Sequence, residues 1–285
     1  MSLVITGATG QLGRLVVASL LEQGVPAGQI VAAGRTTTAL KDLADRGVRV
    51  RALDFDDPAS LRGAFAAGDS VLLVSGPVIG QRARQHQNVI DAAASADVAL
   101  LAYTSIANAG TATMQLAQEH QATEAALRAS GVPFALLRNS WYTENYTAQL
   151  GTILQYGTVT GSAGDGRVSA ATRADYAAAA AAVLTAGGQA GQVYELGGDQ
   201  AFTLAELAAE IGGQTGRDIS YRDLPEQEYA QVLVAAGVPA PAAQVIADAD
   251  RGVARGELFT DSGDLHRLIG RPSTSLPDAI AAALA

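Results

Sequence analysis

The stretch Val4-Ile5-Thr6-Gly7-Ala8-Thr9-Gly10-Gln11-Leu12-Gly13 decides how the rest of the chain is read. Leu3–Thr6 is a short apolar run of strand type, and Gln11–Gln23 carries Leu12, Leu15, Val16 and Leu20 on one helical face. The glycines fall in the turn between the two. Gly7 permits a tight turn, Gly10 lets backbone approach a pyrophosphate, and Gly13 allows the helix to pack closely on the strand. Thr9, Gln11 and Leu12 share that turn, where a helix N-terminus presents N–H groups and partial positive charge to a phosphate. Three glycines so close together mean little in a chain with 31 of them. Placement at the start of a strand–helix unit is what gives the pattern weight. The expectation is a dinucleotide held by Gly7, Thr9, Gly10, Gln11, Leu12 and Gly13; the plainer alternative is a turn that merely packs tightly.

Outward from this turn the same rhythm repeats. Strand-type runs at Ile30–Gly34, Val48–Asp54, Val71–Ser75, Ala99–Thr104 and Phe134–Arg138 alternate with helical patterns. Those patterns cover Ala39–Arg46, Asp57 to Ala66 with Pro58 in the first turn, Arg82–Ser95 and Gln115–Ser130. Val71–Ser75 is apolar throughout most of its length, as a strand covered on both faces requires. The fold class expected is α/β, a doubly wound parallel Rossmann sheet, because right-handed crossovers put helices on both faces.

After Arg138 the rhythm changes to a polar aromatic segment, Asn139 to Tyr146, and a Gly-rich stretch from Gly157 to Gly166. A helix near Arg173, a strand at Val193–Leu196, a helix at Thr203–Ile211 with Glu206 completing a capping box, and a strand-like Ile219–Arg222 follow. The tail from Pro225 reads as helical. The division expected is 1–138 as the cofactor-binding Rossmann domain, and 139–285 as the last sheet elements plus a smaller substrate-binding lobe.

Composition narrows the function. Hydrophobic residues make up 48% of the 285, enough for a sizeable core, and the net charge of −9 repels a nucleic-acid backbone rather than attracting it. Cys is absent, which removes disulfides, thiolate nucleophiles and Cys-based metal sites. His86, His120 and His266 have no ligand spacing, so no metal is expected. No signal-type N-terminus and no apolar run of about 18 residues occurs, so the expected location is cytoplasmic without a membrane span. Of 19 basic residues only Lys41 is lysine.

Arg35 ends the second strand, where the adenosine ribose of a bound dinucleotide lies. An acidic residue there accepts from a 2′-hydroxyl, whereas arginine pairs a 2′-phosphate, so NADPH is expected over NADH. An ordinary exposed strand-end arginine is the alternative. Asp54-Phe55 is placed either to flank the adenine or, for Asp54, to serve as a loop or capping residue. Ligands in such sheets sit at the carboxyl ends of the strands. Ser75 and Gly76 after the fourth strand, and Tyr103, Thr104 and Ser105 on the fifth, are therefore expected to line the nicotinamide half.

Further segments are more particular: Gly80-Gln81-Arg82 with His86-Gln87-Asn88; Ala102-Tyr103-Thr104-Ser105; Leu137-Arg138 with Asn139 through Tyr146; Ala163-Gly164-Asp165-Gly166; and Thr172-Arg173-Ala174-Asp175-Tyr176. With the glycine turn they resemble the NmrA-like branch of the atypical short-chain dehydrogenase/reductases, and within it bacterial NADPH-dependent members that reduce quinones. The resemblance runs nearly end to end. It implies two-electron reduction of a quinone to a hydroquinone by direct hydride transfer from NADPH, in a cleft between a Rossmann lobe and a small C-terminal lobe. The usual Tyr-x-x-x-Lys pair of the wider group is missing, since Tyr103 is followed four residues later by Ala107. That departure disfavours carbinol–ketone chemistry and a sugar-nucleotide epimerase. It suits a quinone, which accepts hydride readily and mainly needs positioning.

On this basis Tyr103, Asn139 and Tyr142 are catalytic candidates, and Gly80, Trp141, Tyr142 and Asn145 are substrate candidates, an aromatic ring beside amides suiting a flat dicarbonyl. Trp141 and Tyr142 packing the lobe, and Tyr103 as a core tyrosine, are the alternatives. Gln81 and Arg82 are expected to meet cofactor phosphate or a quinone carbonyl. His86 is a capping, phosphate-side or structural residue. His120 either relays protons or forms a solvated face with Glu119 and Glu124. A competing function of another class is a non-catalytic NADP-binding redox sensor. Apolar faces such as Val232–Val238 are candidates for pairing subunits in a homo-oligomer or for closing the cleft.

Overall fold

The apolar runs become strands of one parallel sheet. In the computed structural model, which describes residues 1–285, the first half alternates β1 (Leu3–Ile5), α1 (Gln11–Glu22), β2 (Ile30–Gly34), α2 (Lys41–Asp45), β3 (Arg49–Ala52), α3 (Pro58–Leu61), β4 (Ser70–Leu73), α4 (Arg82–Ser95), β5 (Leu100–Ile106), α5 (Gln115–Ser130) and β6 (Phe134–Asn139). The second half adds α6 (Glu144–Thr147), α7 (Leu150–Tyr156), β7 (Thr158–Gly161), α8 (Arg173–Thr185), β8 (Val193–Leu196), α9 (Leu204–Thr215) and β9 (Ser220–Asp223). Helices α10 (Glu226–Ala235), α11 (Ala240–Ala254), α12 (Asp264–Ile269) and α13 (Leu276–Leu284) complete the chain.

The seven-stranded sheet has the order β3-β2-β1-β4-β5-β6-β8, with every neighbouring pair parallel. The order reverses between β1 and β4, which opens a crevice above their carboxyl ends. Thr6 ties the two strands there: its hydroxyl donates to the Leu72 carbonyl at 2.9 Å and accepts from the Val74 N–H at 3.1 Å.

Both faces of the central strands are covered, so β1, β4 and β5 are buried along their whole length. On one face Leu12, Val16 and Leu20 of α1 pack with Ala177, Ala180 and Leu184 of α8. The alanines of α8 leave no side chains to hold the two helices apart, and the helix is apolar nearly all round because it is buried. On the other face Val89 and Ile90 of α4 and Leu127 of α5 meet Val71, Leu73 and Leu101. A third core, including Tyr146, Val159, Leu204, Leu207, Ile211 and Val253, belongs to the C-terminal half.

Some boundaries differ from the sequence reading. The helix expected from Asp57 to Ala66 ends at Leu61, because Arg62 turns extended and Gly63 takes a left-handed φ of 69°. The pattern over Ala39–Arg46 divides into a tight turn, Thr37–Leu40, and the short α2. Val48–Asp54 contracts to β3, an edge strand, since the Asp54 N–H turns to the Ser60 hydroxyl at 3.0 Å. The Gly157–Gly166 stretch contains β7, which pairs in parallel with β9 as a separate two-stranded sheet. Its partner lies far along the chain, so no local pattern announces it. The capping box at Thr203 and Glu206 forms as expected.

Candidate active site

The glycine turn is built as the residue types demand. Gly7 has φ +60°, and the Gly10 N–H donates back to the Gly7 carbonyl at 2.9 Å. A Cβ on Gly13 would stand 2.5 Å from that carbonyl oxygen and 2.9 Å from the Ala8 Cα, both backbone atoms that cannot yield. Gly34 was not foreseen as part of the turn, yet a Cβ there would meet the Thr9 methyl at 2.8 Å. Gly10 starts α1 with no side-chain cap and no acidic residue in the first turn. The first N–H groups of the helix therefore remain free for an anion.

Above this turn lies a cavity of about 610 Å³, within the range of small-molecule and cofactor sites. It runs from Arg35, Asp54, Phe55 and Asp56 across Gly7–Gly13 to Val74–Val78, Arg82, Gln85, Tyr142 and Arg173. Arg35 is exposed and makes no ion pair, leaving its guanidinium available for a phosphate. Asp54 lines the cavity, and its carboxylate holds the loop by accepting from the Asp56 N–H at 3.0 Å. Asp56 itself is occupied by Arg84 and Gln85, which hold its carboxyl below the usual range. A tight glycine turn that leaves no room for a Cβ at Gly13, an uncapped helix start and an unpaired arginine fit a phosphorylated dinucleotide.

The facing wall follows β4. The Ser75 N–H donates to Thr104 Oγ1 at 2.8 Å, the Gly76 N–H to His86 Nε2 at 3.0 Å, and Arg82 Nε to the Gly76 carbonyl at 2.6 Å. His86 lies 2.9 Å through Nδ1 from Thr123 Oγ1, which donates to the Glu119 carbonyl at 2.9 Å. Because Nε2 accepts, the proton sits on Nδ1 and the ring is neutral. Burial, helped by the Arg82 charge, holds its pKa down to about 3. His86 is thus a prop behind the loop and not a phosphate ligand.

Several expected site residues stand elsewhere. Tyr103 does not line the cleft: it is fully buried, its hydroxyl 2.8 Å from His120 Nδ1, with its ring 5.4 Å from that of His86. Side chains alternate along a strand, so on β5 Ala102 joins the α1/α8 core while Tyr103 faces α4 and α5. Burial pushes the phenol up, and pushes His120 well below its ordinary value. Ser105 also turns inward, donating to Glu124 Oε1 at 2.7 Å. The solvated face suggested for His120 and Glu124 is not present, since both are buried. Glu124 instead anchors Arg138 at 2.6 Å, and Arg138 reaches Glu195 at 2.7 Å.

Gly80 donates to Glu119 Oε1 at 2.8 Å, and Gln81 accepts from Arg84 at 2.9 Å; neither lines the cavity. Asn139 is buried, with Oδ1 unpartnered. Trp141 packs against the C-terminal core, so its packing reading is the one realised. Tyr142 does line the cavity, with the Arg173 guanidinium 4.5 Å above its ring and Tyr176 edge-on at 5.5 Å. Asn145 Oδ1 accepts from Arg173 at 2.9 Å. Arg173 and Gln85 were missed as cleft residues. Arg173 arrives because Ala171 bridges Tyr142, a pairing with no local signature.

No helix is long and apolar enough to cross a membrane. Fold and site together define a nucleotide-binding α/β protein of the Rossmann type whose cleft continues past the glycine turn to an aromatic, cationic end. The NmrA-like family model matches residues 1–271, and the chain belongs to that family. It is 47% identical to quinone oxidoreductase 2 of Escherichia coli over 278 residues, 98% of this chain and 97% of that protein. The crystal structure of the NADPH-dependent quinone oxidoreductase from E. coli complexed with NADPH superposes with a TM-score of 0.96 at 46% identity, covering 99% of this chain and 100% of that one. The Citrobacter triphenylmethane reductase complexed with NADP(H) gives a TM-score of 0.93 at 38% identity, covering 99% and 100%.

Proposed function

We propose that this chain is an NADPH-dependent oxidoreductase that reduces quinones to hydroquinones by two-electron hydride transfer. The observation that carries the reading is a single cavity joining the glycine turn and Arg35 to an end lined by Tyr142 and Arg173, in a chain 47% identical to a quinone oxidoreductase. In this reading Gly7, Thr9, Gly10, Gln11, Leu12 and Gly13 hold the pyrophosphate and Arg35 the 2′-phosphate. Ser75 and Gly76, steadied by Thr104 and His86, support the nicotinamide end. Bound NADPH supplies the hydride.

The chain's own part is positional and electrostatic. Tyr142 offers an aromatic face, and burial pushes its phenol up, so it remains neutral at physiological pH. Residues 1–138 act as the cofactor-binding domain, while 139–285 complete the sheet through β8 and supply the substrate lobe. A cytoplasmic location follows from the need for NADPH. A homo-oligomer is supported by the exposed Val232 and Val234 of α10.

The test is to follow NADPH absorbance with a simple benzoquinone or naphthoquinone, subtracting the uncatalysed rate, beside an NADH control. Quinone-dependent oxidation that weakens with NADH is expected. Absence of turnover together with tight calorimetric binding of NADP⁺ overturns the enzyme reading in favour of a redox sensor.

A further inference from the structure

The cavity presents three cations, Arg35, Arg82 and Arg173, and they are held in different ways. Arg35 stands free at the end of β2. Arg82 is turned back into the protein: Nε donates to the Gly76 carbonyl at 2.6 Å, and Nη1 is sealed from solvent 3.8 Å from Glu119 Oε2. Arg173 is fixed yet unspent. Its Nη2 donates to Asn145 Oδ1 at 2.9 Å, its Nη1 lies 3.5 Å from Glu144 Oε2, and its plane rests 4.5 Å over the Tyr142 ring. Glu144 also accepts from the Arg173 backbone N–H at 2.9 Å, which pins the start of α8. The Arg173 side chain is only 17% exposed, and neither Nε nor Nη1 donates a hydrogen bond.

Hydride delivered to a neutral quinone carries two electrons and one proton. The product of that step is a hydroquinone monoanion with its charge on one ring oxygen, and a proton from solvent completes the hydroquinone as NADP⁺ is left behind. No histidine lines the cavity, and Tyr142 is the only phenol that does. Burial holds that phenol protonated and raises its pKa, which makes it a poor acid. The new charge therefore calls for a fixed cation more than for a proton donor, and a guanidinium held by three neighbours meets it without reorganisation.

Resting on the quinone-reductase reading, we propose that Arg173, stacked on Tyr142 and positioned by Asn145 and Glu144, is the catalytic cation that stabilises the phenolate oxygen formed as a quinone is reduced. Asn145 and Glu144 are positioning residues in this scheme. Asn145, expected from sequence to meet the substrate, uses its side-chain oxygen on Arg173.

The test uses para-nitrophenol, whose phenolate is coloured and whose phenol is not, titrated against the full-length protein with NADP⁺ and without it. An opposite charge within reach lowers a pKa by about 1 or more, so the wild type should bind the phenolate selectively and lower the probe's apparent pKa. Arg173→Gln should abolish that lowering and reduce kcat with a quinone roughly 100-fold, with calorimetric NADP⁺ affinity unchanged. Arg173→Lys keeps the charge but not the planar fork, and should recover most of the pKa effect and part of kcat. Asn145→Ala leaves Arg173 in place but unanchored and should give an intermediate loss, which keeps the test decisive if Arg173→Gln does not fold.

An unchanged probe pKa in Arg173→Gln overturns the assignment, as does its loss only in Arg82→Gln. A kcat loss explained by weaker NADP⁺ binding also overturns it, by making Arg173 a cofactor ligand. Wild type that reduces quinones but binds no nitrophenolate defeats the role of Arg173 alone. Wild type that binds nitrophenolate through Arg173 but reduces no quinone defeats the quinone reading alone.

Discussion

The two walls of the cleft are made by different means. The wall at β1 and α1 is backbone: its shape is set by Gly7, Gly10 and Gly13, and its charge by an uncapped helix start. The wall after β4 is loop backbone held by side chains from distant elements, with Thr104, His86 and Arg82 each taking one group of Ser75 or Gly76. A backbone wall tolerates no added atom but needs no support. A propped wall accepts change at its surface and depends on the buried side chains behind it.

The sharpest way to break this contrast is Gly13→Val. Its Cβ would stand 2.5 Å from the Gly7 carbonyl oxygen, and overpacking against backbone costs about 1–3 kcal/mol or more. The turn must open, so NADPH binding measured by calorimetry should fall by about 100-fold at the upper end of that cost. Retained affinity would show that the turn is not the cofactor cradle. Next in size, Arg35→Ala should weaken NADPH binding by roughly 1.5–3 kcal/mol, the worth of a charge-assisted hydrogen bond, and leave NADH binding unaffected. Equal losses for both cofactors would remove Arg35 from the 2′-phosphate.

The propped wall should reveal itself through pH. His86 and His120 are held neutral by burial, His86 down to about 3, while unfolded histidine titrates near 6.5. The unfolded chain thus binds more protons below that value. Stability is full above about pH 6.5 and falls as pH drops toward the folded values, by up to about 1.4 kcal/mol per pH unit for each histidine. Asp250 works in the opposite sense, its carboxyl raised to about 6 by burial. Its contribution is full below the unfolded carboxylate range and is lost as pH rises through about 6, so it offsets one of the two histidines. Denaturant melts at stepped pH should show a net fall between about pH 6.5 and 5, reduced in His86→Gln. A flat profile would mean that the histidines are not held neutral.

The smallest effect expected is from Tyr103→Phe. It leaves His120 Nδ1 without its partner at 2.8 Å, a loss of about 1–2 kcal/mol in stability, with NADPH affinity unchanged. Weakened NADPH binding in that variant would return Tyr103 to the cleft.

The contrast between the walls also explains what was readable in advance. Glycine roles are local: a tight turn, a close approach and a helix start all fall within ten residues, so Gly7 to Gly13 and the strand–helix alternation were legible. The ends of helices α4 and α5 are legible because their apolar spacing continues until a turn interrupts it. The place of Tyr103 is not legible, because strand periodicity tells which residues share a face but not which face borders the cleft. Arg173 was missed because its place depends on the Ala171 bridge to Tyr142 and on Glu144 and Asn145, contacts between segments that share no period. The strand β7 escaped for the same reason, its partner β9 lying beyond α8, β8 and α9.

By itself the amino-acid sequence determined the parallel α/β architecture, the glycine cradle and the arginine beside it, because these follow from backbone freedom and short-range periodicity. Only the tertiary structure decided that Tyr103 and His120 are buried, that His86 braces the loop and that Arg173 lies over Tyr142. Which side of a strand meets water, and which distant carboxylate or amide holds a guanidinium, is set by how the layers close on one another.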